Sequence, residues 1–551
     1  MTSENNLLRG TKMDIKTWNA YKYALIVAIG GFVFGLDAAI ISGTVRFIAS
    51  EFSLTDLQIG TVVGAPSLGA ILALLVAGKT ADALGRKKTL IIIAGLYVVS
   101  ALLSALATSF MMLTMARFIG GLAFSSLSLA SMYIGEIAPA KQRGKLVSAN
   151  QFNIVIGLLA AYFINYYLVL HVSENSLLFA PDTVWRTMLA SELIPAVLWV
   201  ILLCRVPESP RWLMMKNKQE QAKEVLLKLL PEQRAEEVQA EIEQNLKEHQ
   251  DTSSITEQLK LLFSSPMKTI FAIGFIMAVV QGITGMNAIL FYAPTVFEQI
   301  GFGLNASFQQ AIYIGITSVV FTVLAVFFID KVGRKPLLIF GLLAVVLSHA
   351  TCWYGFSNAS YSINQQTIDK LEEVIDTTPL KAQLNSQYAD DVSFKEMLAT
   401  NYDADTLRLS EGHIIEAAIS VNPIVILVGI LAFIAAFHIS IGPIMWVLFS
   451  EIFPNSVRSV AIPLFALVTS VASYLIQQFF PWQLANLGAA NTFLMYSVFG
   501  LIGLLLLWPL LPETKNKTIE EIEDTLVNKR NQPTTSAEVS DNPVGSNAPS
   551  A

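Results

Sequence analysis

Among the ionisable side chains inside apolar runs, where each costs about 2.5 to 3.5 kcal/mol at mid-helix, four stand out. Asp37 lies in GGFVFGLDAAIISG, Glu192 in MLASELIPAVLW and His438 in FIAAFHISIGPIMW, and Arg117 opens the second turn of the fourth run. A deep acid and a deep base offset each other only when paired, and such an acid can bind and release a proton as its surroundings change. One reading is therefore that Asp37 pairs with Arg117 and titrates; the plainer reading is an acid near a helix end that reaches water. Glu192 is equally a structural acid or a third member of the set. Hydrolytic chemistry is not written here, since neither HExxH nor GxSxG occurs. AGKT at 77–80 imitates the end of a P-loop, but Ala73 stands where its first Gly belongs. Cys204 and Cys352 both lie in apolar runs and offer neither a metal site nor a disulfide framework. The expectation is a protein that is not an enzyme and needs no metal or cofactor.

A second kind of chemistry is mechanical. GKTADALGRKK at 78–88 is a knot of charge between apolar runs, and DKVGRK at 330–335 repeats it. Acids and bases at helix ends can pair weakly and re-form, which suits a latch that holds one conformation without locking it. In this reading Asp82 or Asp330 bridges to Arg143 or Arg458 on a neighbouring helix; the alternative is a set of ordinary basic anchors at the membrane surface.

The elements that must carry these groups follow from composition. Hydrophobic residues make up 54% and charged residues 14%, the latter against about 25% in soluble domains, and the mean hydropathy is +0.55. Apolar runs near the length that crosses a bilayer start at about 23, 57, 89, 111, 147, 186, 268, 309, 336, 421, 460 and 491. This predicts an all-α membrane protein with twelve transmembrane helices. A polar, mildly basic stretch precedes the first run and no small-residue cleavage site follows it, so a removed signal peptide is not expected. Loops after the second, fourth, eighth and tenth runs hold eleven Lys and Arg, whereas the short loops at 50–56, 108–110, 170–185, 299–308 and 482–491 hold none. That asymmetry predicts both termini in the cytoplasm. The net charge of −6 then says nothing about nucleic acid, and none is expected as a partner.

Three motifs recur in order. Gly85-Arg86-Lys87 returns as Gly333-Arg334-Lys335, 248 positions on; Glu136-Ile-Ala-Pro139 with Arg143 returns as Glu451-Ile-Phe-Pro454 with Arg458, 315 on; Pro207-Glu208-Ser209 returns as Pro512-Glu513-Thr514, 305 on. Three pairs in register predict a duplicated six-helix unit, hence two pseudo-symmetric bundles. The shift between the first two offsets requires extra residues in the second half, and the polar segment 358–420, with eleven acids and four bases, supplies them as an external insertion, either a lid or a disordered spacer. The expected organisation is a tail at 1–22, a bundle at 23–206, a cytoplasmic helical linker at 207–266, a second bundle at 267–511 and a tail at 512–551. Pro231 is well placed to open a linker helix, and the last twenty or so residues read as disordered.

GKTADALGRKK, RFIGGLAFSSLSLASMYIGEIAPAKQRGKL, PESPRWL, DKVGRKPL, SEIFPNSVRS and PETKNKTIEEIE resemble the signature set of the sugar porter branch of the major facilitator superfamily, closest to bacterial proton-coupled xylose and hexose symporters. The resemblance implies alternating access by two bundles around a central cavity, with Asp37 and Arg117 on the proton-coupling Asp and Arg and Glu192 on a nearby acid. It puts Gln151, Gln281, Asn287 and Trp446 on sugar-contacting positions, and Phe34 and Ile154 on apolar contacts; taken alone, a membrane Gln or Asn is more often interhelical glue. His438 holds a place on the tenth helix that can face the cavity. The latch set is Asp82, Gly85, Arg86, Glu136, Arg143, Glu208, Arg211, Asp330, Gly333, Arg334, Glu451, Arg458 and Glu513. The departures are Ala83 for an Arg, Gly282 for the second of two Gln, Ser318 for an Asn, and Thr469-Ser470 for an amide followed by Trp. The expected function is import of a monosaccharide, hexose or pentose, by proton symport across the plasma (inner) membrane. The expected partners are the sugar, protons and the lipid bilayer, acting on a single-chain monomer. The alternatives are a facilitated-diffusion uniporter for a sugar or cyclitol and a transporter-like sugar sensor.

Overall fold

The computed structural model describes residues 15–138, 142–173, 180–248, 254–372, 374–523 and 525–526. The expectation of a disordered end to the chain falls outside them. Among the described residues twelve helices are long and apolar enough to cross a membrane: α1 Trp18–Gly43, α2 Asp56–Leu84, α3 Arg86–Ala105, α4 Phe110–Ile137, α5 Gly144–Leu170, α6 Val184–Leu203, α7 Ser265–Phe291, α8 Leu304–Val332, α9 Arg334–Ser357, α10 Pro423–Ile452, α11 Asn455–Asn486 and α12 Gly488–Leu510. The expected all-α membrane fold is the observed one.

Local signals start and stop these helices. Thr55 and Gln58 cap α2 reciprocally, and Ser109 accepts from the Met112 amide to open α4. The tight turns α2–α3 and α8–α9 pass through Gly85 at φ 100° and Gly333 at φ 105°, which a side chain would strain.

Two seams join the six-helix halves: α2 runs along α11, and α5 along α8. Because α8 and α11 are the repeat counterparts of α2 and α5, each seam is the symmetry mate of the other. Side-chain ties across the seams lie in the half of the molecule remote from the Gly-Arg-Lys loops. Ser67 donates to Gln477 at 2.9 Å, Gln478 to Leu57 O at 2.8 Å and to Thr61 at 3.1 Å, and Tyr162 to Leu290 O at 2.7 Å.

Between α6 and α7 run helices Pro210–Met215, Gln219–Leu229, Glu232–Glu248 and Ile255–Leu262. Pro231 precedes the third, its carbonyl accepting from Ala235 at 2.9 Å. Between α9 and α10 the chain builds a small folded unit. Strands β1 Ser360–Ile363, β2 Ser386–Tyr388 and β3 Ile419–Ser420 pair antiparallel in the order β2-β1-β3. Helices Gln365–Leu371, Asp391–Asn401 and Ala404–Ala418 cover the sheet. Tyr361, Ile363, Ile368, Phe394, Leu398 and Ile414 form its own apolar core, with Tyr361 stacked on Phe394 at 5.0 Å.

Candidate functional site

Asp37, Arg117, Glu192 and His438 divide into two places. Asp37 and Arg117 form an ion pair between α1 and α4 with side chains essentially inaccessible to water, and Arg117 also donates to Asp37 O at 3.2 Å. Glu192 sits where α6 breaks, between helices Val184–Ala190 and Leu193–Leu203, buried beside Asp37. Asp37 Oδ2 and Glu192 Oε1 are both buried without a hydrogen-bond partner among the described residues.

His438 is elsewhere. It lies in the π-helical turn Phe437–Ile441 of α10, 9% exposed, with Nδ1 3.2 Å from the Thr322 hydroxyl of α8 and Nε2 unpartnered. Rather than facing an open cavity, it ties α10 to α8.

The amide positions sit on interrupted or parted helices. Gln281 and Asn287 flank the break of α7 between helices Lys268–Ile283 and Met286–Phe291, where Gly285 takes φ 82°. Gln281 Oε1 is buried without a partner. Gln151 is exposed and lies eleven residues before Tyr162, within about 20° of the same helix face at 3.6 residues per turn. That face meets the other bundle through Tyr162; Gln151 lies on it nearer the Gly-Arg-Lys loops. Ile154 and Phe34 are half-buried, Phe34 edge-on to Phe124 at 4.6 Å. Trp446 is 47% exposed, edge-on to Phe449 at 6.1 Å. Gln151, Gln281, Asn287 and Trp446 share no hydrogen bond with one another among the described residues.

The departure at Gly282 has a physical cause. A Cβ on Gly282 would lie 2.6 Å from Ala472 Cβ and 3.0 Å from Thr469 O, so α11 approaches α7 too closely for a second Gln. Thr469 donates to Ala278 O at 3.1 Å, Ser318 to Ile314 O at 2.8 Å and Ser470 to Ala466 O at 2.9 Å. Each hydroxyl is used within or between helices.

The repeated charge clusters form two equivalent networks with partners other than those expected. Asp82 pairs with Arg86, four residues on, at 3.0 Å, and Arg86 reaches Glu136 on α4 at 3.2 Å. Asp330 pairs with Arg334 at 3.2 Å and Arg334 reaches Glu451 on α10 at 3.0 Å. The Arg of each Gly-Arg-Lys turn thus takes both acids, because the turn aims it along the bundle face. Arg458 instead donates to Phe453 O at 2.8 Å, the side chain of Arg143 is outside the described part, and Arg211 is exposed and outside the network. Glu208 has a different role. Its Oε1 accepts from the amides of Arg86 at 2.8 Å, Lys87 at 3.0 Å and Ser209 at 2.9 Å, capping α3. Glu513 does the same for α9, accepting from Arg334 at 3.1 Å, Lys335 at 3.2 Å and Lys515 at 2.8 Å. A carboxylate on a helix N-terminus meets both unpaired amides and the positive end of the dipole. Glu208→Ala is expected to destabilise the protein by about 2 kcal/mol or more, as bonds to a charged acceptor are lost. Thermal unfolding in detergent checks this, with Glu208→Gln intermediate.

The family profile described as "Sugar (and other) transporter" matches residues 23–367 and 406–526, leaving out the middle of the small folded unit. The chain is 33% identical to the arabinose-proton symporter of Bacillus subtilis (strain 168), over 90% of this chain and 92% of that protein. It is 31% identical to the D-xylose-proton symporter of Escherichia coli (strain K12), over 91% and 95%. Among solved structures it resembles the inward open conformation of the xylose transporter XylE from E. coli, with TM-score 0.70 at 29% identity over 92% of this chain and 99% of that one. These similar proteins are transporters, not enzymes.

Proposed function

The chain belongs to the sugar transporter family of the major facilitator superfamily, and we propose that it imports a monosaccharide by proton symport with alternating access. The observation that carries this reading is the buried Asp37–Arg117 pair with Glu192 at its side: a water-free acid–base pair with two unpartnered carboxyl oxygens is a costly arrangement that proton binding and release put to use. In the cycle, protonated Asp37 loosens its hold on Arg117, freeing α1 and α4 to move. Sugar binding then permits the switch inward, and deprotonation restores the pair. The sugar contacts are Gln151, Gln281, Asn287 and Trp446, with Phe34 and Ile154 as apolar walls.

The Gly-Arg-Lys networks act as latches at the cytoplasmic face, which also carries the linker helices and both termini; the unit at 358–420 is external, and the chain works as a monomer in the plasma (inner) membrane. With seam ties in the external half, this conformation is the inward-facing one. The excess of Lys and Arg in one set of loops supports the orientation. In intact cells an impermeant thiol reagent is expected to modify a cysteine replacing Gln365 and to spare one replacing Lys228, both exposed positions; the reverse pattern inverts the topology. The function itself is tested by uptake of labelled pentoses and hexoses into proteoliposomes. Accumulation above the external concentration only with an inward proton gradient supports symport; equilibration that ignores the gradient replaces it with facilitated diffusion.

A further inference from the structure

Outside the proton and sugar sites, charged residues converge where the folded unit between α9 and α10 meets both bundles. Arg46, on the short helix Val45–Glu51 that follows α1, faces Glu298 at 3.6 Å. Glu298 ends helix Ala293–Glu298, which follows α7, so this pair crosses between the bundles. Helix Ala404–Ala418 of the folded unit packs against both short helices. Its Gly412 backbone covers the pair: a Cβ there would lie 3.3 Å from Arg46 Nη1 and 3.3 Å from Glu298 Oε2. Glu411, His413 and Glu416 of the same helix complete the setting, with Glu411 also 3.3 Å from Lys395.

The unit is fastened to the second bundle. Asp391 Oδ2 accepts from the Ala489 amide at the start of α12 at 2.9 Å, and Lys395 donates to Gln299 at 2.9 Å. It therefore travels with that bundle, and its contact with the first bundle runs through the helix bearing Arg46. Any motion that parts the two bundles on this side must pull Arg46 away from Glu298 and from helix Ala404–Ala418.

We infer that the unit between α9 and α10 is an external latch, which clasps Arg46 against Glu298 to hold the outer gate shut and lets go as the outside turns acidic. The inference goes beyond the transport reading and rests on its orientation alone. The sign follows from the groups around Arg46. Burial raises the Glu298 carboxyl above the ordinary range and Glu411 and Glu416 add to this, while Arg46 opposes it. The clasp is thus intact at high pH and lost as pH falls through that raised value. Burial, then Arg46, lower His413 against the opposing pull of Glu416, so it is neutral until the medium is acidic and then adds a second cation beside Arg46. Both changes loosen the clasp in the same direction, opening the gate when external protons are abundant.

Ser67, in the closed seam opposite Gln477, reports the gate. With Cys204→Ser and Cys352→Ser in the full-length protein, Ser67→Cys is labelled in intact cells by an impermeant maleimide from about pH 7.5 to about pH 5, normalised to Gln365→Cys on the external unit. Labelling is expected to accelerate as pH falls. Arg46→Ala and Glu298→Gln are each expected to raise the neutral-pH rate roughly two- to five-fold, the range an ion pair of this exposure shifts an equilibrium, and to flatten the pH profile. Arg46→Lys, which keeps the charge, is expected to keep the parental neutral-pH rate and the parental pH profile. Parental rates and an unchanged pH profile in Arg46→Ala and Glu298→Gln overturn the latch. Failure to label Gln365→Cys from outside overturns the orientation and the latch together, whereas labelled Gln365→Cys with an indifferent Arg46 leaves the transport reading standing.

Discussion

Asp37→Asn abolishes uphill sugar accumulation while leaving sugar binding, and exchange of labelled for unlabelled sugar, in place. Asn keeps the shape of a protonated Asp but cannot take the charge that pairs with Arg117. The carrier can still load and swing with sugar aboard, yet nothing ties an empty return to release of a proton. A proton falling through 100 mV supplies about 2.3 kcal/mol, enough for roughly fifty-fold accumulation at about 1.4 kcal/mol per tenfold; the variant is expected to forfeit all of it. Uptake in energised vesicles, with counterflow in de-energised ones, checks both halves. Accumulation at the parental level rules out the Asp37 route and moves the proton to another group, with Glu192 the next to test because it shares the buried site. An Asp37→Asn protein that neither accumulates nor exchanges shows instead that the charge itself is needed for the moving helices.

The pairing behind this expectation was legible in the sequence because burial leaves little choice: a carboxylate and a guanidinium deep in apolar runs of one six-helix half must meet. The twelve spans and the duplication were legible for a similar reason, since length, apolarity and motif order are one-dimensional signals. Partner choice was not. Asp82 and Arg86 are four residues apart and look local, while the Arg86–Glu136 and Glu208–Arg86 contacts span 50 and 122 positions. The Gly-Arg-Lys turn was visible, but which acid caps a helix and which pairs with the Arg depends on how the bundle closes. The break in α7 was foreshadowed by Gly282 and Gly285, and the π turn at Phe437–Ile441 ends directly before Gly442-Pro443, a breaker pair that marks no turn type by itself. The insertion at 358–420 was visible but its fold was not, because strands of two to four residues leave no readable alternation and its composition records only acidity. The Arg46–Glu298 clasp escaped because both residues sit beside span ends, where charge is ordinary.

Gln281→Ala and Asn287→Ala are each expected to weaken sugar binding by an order of magnitude or more. The two amides flank the break of α7, and an interrupted membrane helix frees side chains that a continuous one would spend on packing. Gln281 Oε1 is buried without a partner, so an arriving hydroxyl gives it a bond it otherwise lacks. An amide can make two hydrogen bonds to vicinal hydroxyls, each worth about 0.5 to 1.5 kcal/mol net, and losing both approaches or exceeds the roughly 1.4 kcal/mol of a tenfold change. Because Gly282, Ser318, Thr469 and Ser470 leave no free amide at the departed positions, few polar contacts remain to compensate. Titration calorimetry of purified variants, with Ser470→Ala as a control whose hydroxyl already bonds Ala466 O, separates site from scaffold. If both alanine variants bind like the parent, the sugar lies elsewhere in the cavity. If only Gln281→Ala is impaired, the site is confined to the first half of α7, and the outer segment from Met286 onward acts in gating rather than recognition.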